Sequence, residues 1–243
     1  MKTQNIKKTI TMHAASAMLV LAMGGSASAA TLNVSALGDP DQAIDLTALG
    51  TGDWALYTTT DLEPTERKAG GTGINAVTYT GSGALDSSNS SQSILYSWSD
   101  GSPTASNPGA TFDADHLSTV VEPSSAVFST SVLSSTTLNT LYVTYGQWNA
   151  VSRITVSLSD GSIADQQLDF STNDHQTVQI DFASDTDAML DVEIEFLSDT
   201  GNNNSQLRFQ SLALANAVDP IPEPSTSALL GLGGLALILR RRK

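Results

Sequence analysis

The sequence predicts an all-β protein whose central part folds as an antiparallel β-sandwich. Hydrophobic and polar residues alternate along several segments, for example at Ile154, Val156 and Leu158, as in strands with one buried and one solvated face. Ser, Thr, Asn, Gly and Asp are frequent between these segments, which suits polar turns rather than long helices. Parallel sheets would need connecting helices that this sequence does not offer, so the sheets are expected to be antiparallel.

The 243 residues divide into three parts. We assign residues 1–29 to a signal peptide, residues 30–217 to the β-sandwich domain, and residues 218–243 to a C-terminal segment with its own composition. The middle part is long enough to bury one core without disulfides, and the chain contains no cysteine. Thiol nucleophiles and thiolate metal sites are thereby excluded.

The N-terminal segment has the order of features that a secretory signal requires. Three lysines precede residue 9, an apolar run follows at 14–23, and Ala27 and Ala29 form an A-x-A pattern. Signal peptidase is expected to cut after Ala29 or Ala30. An amphipathic helix of the fold is the alternative interpretation of this segment.

The first half of the domain has fewer clear strands. Residues 54–58 and 94–98 are predicted strands, whereas glycine-rich stretches at 70–73, 81–93 and 101–109 are predicted loops.

The second half alternates throughout. Leu141, Val143 and Tyr145 form one apolar set, opposite Tyr142, Thr144 and Trp148 on the face expected to be solvated. Leu207 and Phe209 alternate out of phase with Leu212 and Leu214, which predicts a β-bulge between them. Asp160-Gly161 predicts a hairpin turn. Two further apolar sets are Val178, Ile180 and Phe182, and Leu190, Val192, Ile194 and Phe196, the latter with Asp191, Glu193 and Glu195 facing water.

Three stretches of the middle part, at 96–104, 142–148 and 157–162, resemble an uncharacterised jelly-roll-type module of secreted bacterial proteins. The resemblance spans about residues 72–215. It implies a jelly-roll-like sandwich and an association with glycans or surfaces, and it supplies no catalytic residues.

The C-terminal segment combines a proline motif, an apolar run and a basic end. Pro222-Glu223-Pro224 precedes an apolar stretch at 228–239, and Arg240, Arg241, Arg242 and Lys243 end the chain. As a helix, twelve residues reach about 18 Å, less than the ~30 Å hydrocarbon core of a bilayer. The basic tail is expected to stay cytoplasmic by the positive-inside rule, which places the domain on the far side.

This order of features resembles the PEP-CTERM sorting signal. The resemblance implies recognition by an exosortase in the membrane, cleavage near Pro222 to Pro224, and delivery to the cell surface or extracellular matrix. The two prolines would hold the intervening carboxylate in an extended, helix-free segment. A short permanent tail anchor is the alternative.

Charge excludes one class of partner. Seven of the eleven Lys and Arg residues lie in the two terminal segments, and the four cations between them face twenty-four carboxylates once Glu223 is set aside. A domain with a net charge of about −20 repels polyanions, so nucleic-acid binding is excluded.

Trp54, Trp98 and Trp148 are the candidate ligand-binding residues, because indole rings stack on the faces of sugars. Trp148 is the best candidate, since alternation places it opposite the apolar set. Packing in the core or at a sheet edge is the alternative for each ring.

Calcium is the only metal that the sequence suggests. Asp185, Asp187 and Asp199, together with Asp113 and Asp115, offer hard oxygen ligands, although none of these stretches matches an EF-hand loop. Solvated turn residues are the alternative.

The sequence contains no convincing catalytic set. We therefore expect a non-catalytic exported surface or matrix protein that binds exopolysaccharide and needs no cofactor. The alternatives are a secreted polysaccharide hydrolase, which requires two carboxylates in a cleft, and a structural matrix component bridged by calcium.

Overall fold

The structure, a computed structural model, describes residues 29–37, 43–60, 62–82, 85–88, 94–108, 116–119, 125–171, 173, 175–200 and 205–216. Over these residues the chain forms sixteen strands and one helical turn, α1 (Leu46–Leu49). The first eight strands are β1 (Thr31–Ala36), β2 (Ile44–Asp45), β3 (Asp53–Leu56), β4 (Glu66–Lys68), β5 (Thr78–Gly81), β6 (Leu85–Ser88), β7 (Tyr96–Ser97) and β8 (Gly101–Ser102). The remaining strands are β9 (His116–Thr119), β10 (Ala126–Ser134), β11 (Asn139–Trp148), β12 (Ala150–Leu158), β13 (Gln166–Phe170), β14 (His175–Ala183), β15 (Ala188–Asp199) and β16 (Gln206–Ala215).

Two antiparallel sheets contain nearly all of these strands. One has five strands in the order β13-β12-β15-β10-β5. The other has nine, with β1-β14-β11-β16-β3-β4-β8 as its main path and β9 and β6 branching from β16. The small β2-β7 pair is parallel. From β10 to β16 the chain crosses repeatedly between the two large sheets, which confirms the predicted antiparallel sandwich.

The main core fills the space between the sheets. Leu141, Val143 and Tyr145 of β11 meet Ile154 and Val156 of β12 there, and all five side chains are fully buried. Burial of side chains of this size stabilises the fold by about 1.5–3 kcal/mol each. The period-2 pattern of the second half therefore identified the side chains that face this main core.

The predicted turn and the predicted bulge are both present. Gly161 has a φ of 64°, a left-handed conformation that glycine adopts without strain, and it lies in the connection from β12 to β13. In β16, Ser211 pairs with Thr144 and Phe209 pairs with Tyr145, so Gln210 is the extra residue of a bulge. The bulge returns the apolar residues on both sides of it to the same core.

A second, smaller core lies on the outer face of the nine-stranded sheet. This corrects the expectation that the face carrying Tyr142 and Thr144 is solvated, because Thr144 is buried and Tyr142 packs against the second core. The residues of this second core are Ile44, Leu46, Trp54, Leu56, Ile94, Tyr96, Trp98 and Ala213.

The start of β1 and the end of β16 lie at the same end of the strands in the nine-stranded sheet. Thr31 pairs with Ala183 at the end of β14, the adjoining Phe182 pairs with Asn139, and Thr140 pairs with Ala215. The strands involved are neighbours in the order β1-β14-β11-β16, so three spacings of ~4.8 Å, about 14 Å in all, separate the two ends. We call this end of the nine-stranded sheet the exit end of the domain.

Candidate functional site

Trp54 and Trp98 belong to the second core. Trp54 is completely buried and Trp98 is 3% exposed, and their ring centroids lie 5.7 Å apart at an interplanar angle of 45°. The Nε1 of Trp98 donates to the carbonyl oxygen of Thr104 at 2.8 Å. Neither ring presents a face to a ligand, which corrects the prediction that these two residues stack on sugars.

A carboxylate network surrounds the buried Trp54. Asp100 accepts hydrogen bonds from Trp54 Nε1 at 2.9 Å and from Thr47 Oγ1 at 2.6 Å, and it forms an ion pair with Lys68. Partial desolvation alone would raise the pKa of Asp100, but the hydrogen bonds from Lys68, Thr47 and Trp54 outweigh it and hold the pKa below its usual value. These contacts fasten the second core to the sheet.

Asp53 is a fully buried carboxylate next to this network. It accepts from Arg67 Nη2 at 2.6 Å, from the backbone N–H of Ile74 at 3.0 Å and from that of Trp54 at 2.8 Å. A Cβ on Gly71 would lie 1.9 Å from Asp53 Oδ1, so glycine is needed there for the close approach. The arrangement is a satisfied structural ion pair.

Trp148 is the one tryptophan that keeps partial exposure. It ends β11, and nine strand steps of about 3.3 Å place it roughly 30 Å from the exit end. The guanidinium carbon of Arg208 lies 5.7 Å from its ring centroid, and Gln206 Oε1 accepts from Arg208 Nη2 at 2.9 Å. Burial lowers the pKa of Arg208 to about 10. Part of the indole surface is thus covered by the protein's own cation.

The candidate calcium ligands do not come together. Asp185 and Asp187 are exposed in the turn before β15, whereas Asp199 is exposed at the far end of that twelve-residue strand. The described part of the chain holds no group of three or more Asp, Glu, His or Cys side chains positioned for one metal ion. Asp113 and Asp115 lie outside the described residues.

A shallow groove crosses the outer face of the five-stranded sheet. It encloses about 420 Å³, and its floor is formed by β15, β12 and β10. The strand register explains the lining, because Thr155 and Ser129 flank Glu193, while Ser157 and Ser131 flank Asp191. The polar lining consists of the hydroxyl groups of Thr78, Ser129, Ser131, Thr155 and Ser157 and the carboxylates of Asp165, Asp191 and Glu193.

The groove carries uncompensated negative charge. Asp191, Glu193 and Glu195 follow one another on the outer face of β15, with Arg153 directly opposite Glu195 and paired to Asp169 at 2.6 Å. Among the described residues no ion pair involves Asp191 or Glu193. Burial raises the pKa of the Asp191 carboxyl above its ordinary value.

Sequence reasoning placed the acidic row on the wet face of β15 but did not identify the groove. The alternation of Asp191 and Glu193 was the available signal. The hydroxyl rows come from β10 and β12, and only the register of three strands brings them beside these carboxylates.

The terminal signals lie outside the described residues, apart from Ala29. This applies to Ala27 of the predicted cleavage site, to the Pro222-Glu223-Pro224 triplet and to the basic tail at 240–243. Over the described ranges, no helix has the length and hydrophobicity that a membrane span requires.

Comparison with known proteins identifies the end of the chain. Residues 220–243 match the PEP-CTERM protein-sorting motif. No curated protein matches the chain. A solved structure of TmCBM61 in complex with β-1,4-galactotriose aligns with 58% of this chain and 88% of its own, at 8% identity and a TM-score of 0.39.

The chain therefore carries the sorting motif of exosortase-processed proteins. Such a motif belongs to an exported protein that is anchored transiently in the membrane by its C-terminal segment before processing. The resemblance inferred from Pro222-Glu223-Pro224, the apolar stretch and the basic tail is confirmed.

Proposed function

We propose that the β-sandwich domain is a non-catalytic component of the cell surface or extracellular matrix that binds exopolysaccharide in the groove on its five-stranded sheet. The observation that carries the proposal is the lining of that groove. Its hydroxyl and carboxylate groups stand on a rigid sheet, so a ligand meets them in fixed positions.

The spacing of these groups suits an extended chain of sugar rings. Neighbouring strands lie about 4.8 Å apart, and side chains on one face recur about every 6.7 Å along a strand. Ionised Asp191 and Glu193 can each accept hydrogen bonds from sugar hydroxyls, while the flanking Ser and Thr hydroxyls both donate and accept. An open groove admits a long polymer from the side, as a matrix polysaccharide requires.

Charge selects the class of polysaccharide. Asp165, Asp191 and Glu193 form an acidic lining in a domain that is strongly acidic overall. Polymers rich in uronic acid or sulfate would be repelled, so the proposed ligand is a neutral or amino-sugar-containing polysaccharide.

The test is binding of the purified exported protein to defined polysaccharides. Dextran, chitosan oligosaccharides and alginate represent neutral, cationic and anionic polymers, and affinity electrophoresis measures retardation by each. We expect retardation by dextran, by chitosan or by both, and none by alginate.

Variants locate the binding surface. Asp191→Asn combined with Glu193→Gln should abolish retardation, whereas Glu195→Gln, on the same row but beside Arg153 and outside the groove lining, should not. Loss of binding in Trp148→Ala with full binding in the groove variant would move the site to the distal end of β11. No binding to any polymer or to the host's own exopolysaccharide would refute the proposal.

A secreted polysaccharide hydrolase is the second candidate. It is favoured by the pair Asp191 and Glu193, whose Cα atoms lie about 6.7 Å apart on one strand face. Inverting glycosidases separate their carboxyl groups by about 6.5–9.5 Å, a range that two side chains rising side by side from Cα atoms at this spacing can reach. They also raise the pKa of the acid, and burial raises the pKa of Asp191. New reducing ends that appear with the purified protein and are absent with Asp191→Asn would establish this activity in place of simple binding.

A further inference from the structure

The exit end of the domain carries an uncharged turn with exposed leucines. The turn joins β10 to β11 and reads Ser135-Thr136-Thr137-Leu138, with Leu133 preceding it at the end of β10. Leu133 is 60% exposed and Leu138 is 49% exposed. They are two of four large hydrophobic side chains with substantial exposure in the described part of the chain.

A groove of about 350 Å³ adjoins this turn and includes the last described residue. Leu133, Thr137 and Asn139 line one side, and Leu214 and Asn216 line the other. The segment that leads to the membrane therefore begins within this groove. Thr31, which follows the predicted signal cleavage site, lies at the same end of the sheet.

The length of chain between Asn216 and the apolar stretch limits how far the exit end can lie from the membrane. Five residues separate Asn216 from Pro222, and eleven separate Asn216 from the start of the apolar stretch at Ala228. Eleven extended residues span at most about 40 Å. A tether of this length keeps the exit end at a high effective concentration near the bilayer, so a weak contact becomes populated.

We infer that the β10–β11 turn rests on the phospholipid surface while the C-terminal segment is inserted, with Leu133 and Leu138 in the interfacial region of the bilayer. Leucine side chains gain free energy on leaving water for this region, and the Ser and Thr residues between them have no charge to desolvate. The contact orients the domain with its exit end toward the membrane and Trp148 away from it.

Carboxylates at the same end limit which lipids are suitable. Asp185 and Asp187 are exposed on the β14–β15 turn, whose Ser184 N–H donates to the carbonyl oxygen of Ser135 at 2.9 Å. Asp160 approaches the same turn, where its Oδ2 accepts from Thr186 Oγ1 at 3.4 Å. These charges repel anionic headgroups, so the contact should be strongest on a zwitterionic surface.

The absence of cysteine allows a direct test with single labels. Leu138→Cys and, in a separate protein, Leu37→Cys are introduced into the full chain and labelled with a polarity-sensitive fluorophore. Leu37 is the matched control, because it is 55% exposed and lies six residues along the chain from Thr31, about 20 Å toward the opposite end of the sheet. Both proteins are reconstituted through their tails into phosphatidylcholine vesicles with brominated acyl chains.

The inference requires a blue-shifted emission at position 138 and quenching by bromolipid at least about twofold stronger than at position 37. Leu133→Cys provides a second label should the first protein not fold. Equal quenching at both positions would overturn the inference. Shielding of position 138 that appears only when exosortase is present would also overturn it, and would assign the leucines to a protein contact.

Discussion

Asp53 is the most deeply buried carboxylate among the described residues, and its contacts predict the effect of a single substitution. Asp53→Asn removes the charge that faces Arg67 while nearly preserving shape. Breaking one side of a buried ion pair costs about 3–5 kcal/mol, and the partly exposed Arg67 places the expected loss near the lower limit, about 3 kcal/mol. Urea unfolding of the purified protein measures this free energy.

Asp169→Asn is the matched control. Asp169 also faces an arginine at 2.6 Å, but half of its side chain is exposed, so solvent screens the pair and the change should be small. Similar losses in both variants would show that the burial of Asp53 has no energetic effect.

The three tryptophans show that the burial of a single side chain is hard to predict from the sequence. Trp54 and Trp98 stand in segments correctly predicted to contain strands, yet both rings are buried. Their burial depends on a second core formed by residues about 40 positions apart in sequence, such as Trp54 and Ile94. No local periodicity contains that information, so the burial of these two rings could not be predicted although the strands at 54–58 and 94–98 were. The same half also contains strands that were predicted as loops, since β6 lies within 81–93 and β8 within 101–109.

At the scale of one element, β16 contains one extra residue, Gln210, and the strand pairing predicts the effect of removing it. Deletion of Gln210 would close the bulge without changing the partners on either side, because Phe209 already pairs with Tyr145 and Ser211 with Thr144, so Leu207 and Phe209 would still face the core. We expect the deletion variant to retain cooperative unfolding and to lose stability only with the buried contacts of Gln210, as followed by near-ultraviolet circular dichroism and urea titration.

Gln210→Ala separates the backbone effect from the side-chain effect. The glutamine Oε1 accepts from the hydroxyl of Tyr96 at 3.1 Å in the buried second core, so this variant should lose about 1–3 kcal/mol and still fold. A deletion variant that loses cooperative unfolding while Gln210→Ala keeps it would contradict this prediction, and would show that the fold requires the bend that the bulge gives β16.

The same strand explains why the second half of the fold was predictable and the groove was not. The phase change between Phe209 and Leu212 is visible in the sequence, since a side-chain period of two leaves no other simple solution than an extra residue. The groove instead results from the register of β10, β15 and β12, which hydrophobic alternation does not specify for polar side chains. The hydroxyl groups beside Glu193 could therefore not be predicted from the sequence.

At the scale of the whole molecule, charge is almost entirely of one sign at the surface. The four cations between the terminal segments all have structural partners, because Arg67, Lys68 and Arg153 pair with carboxylates and Arg208 packs on Trp148. Self-repulsion should then lower stability at low ionic strength.

Raising sodium chloride from about 10 to 200 mM shortens the Debye length from about 30 Å to below 10 Å, so the Tm of the purified protein should rise. Glu193→Gln, which removes one unpaired carboxylate from the groove, should raise the Tm at low salt and reduce the salt dependence. A Tm independent of salt would contradict the picture of a repulsive surface.

Alkaline pH acts on the whole fold through three buried tyrosines. Burial raises the pKa of Tyr57, Tyr96 and Tyr145 above the ordinary phenol value of 10.0. Because the folded pKa values are raised, the unfolded chain releases these protons first. The stability associated with them is complete below about pH 10 and is lost as the pH rises further, by up to about 1.4 kcal/mol per unit for each tyrosine.

Arg208 works in the opposite direction over the same range, since burial lowers its pKa to about 10 and the folded state releases that proton first. The stability lost through three tyrosines exceeds the stability gained through one arginine, so the urea midpoint should fall steadily above pH 10. Tyr96→Phe removes one ionisable group from the second core. The slope of its free energy of unfolding against pH should therefore be smaller, by the equivalent of about one proton. Its stability at neutral pH should be lower, because the hydrogen bond to Gln210 is lost. An identical pH slope in the two proteins would mean that Tyr96 does not couple the second core to global unfolding, and that this layer opens separately from the sandwich beneath it.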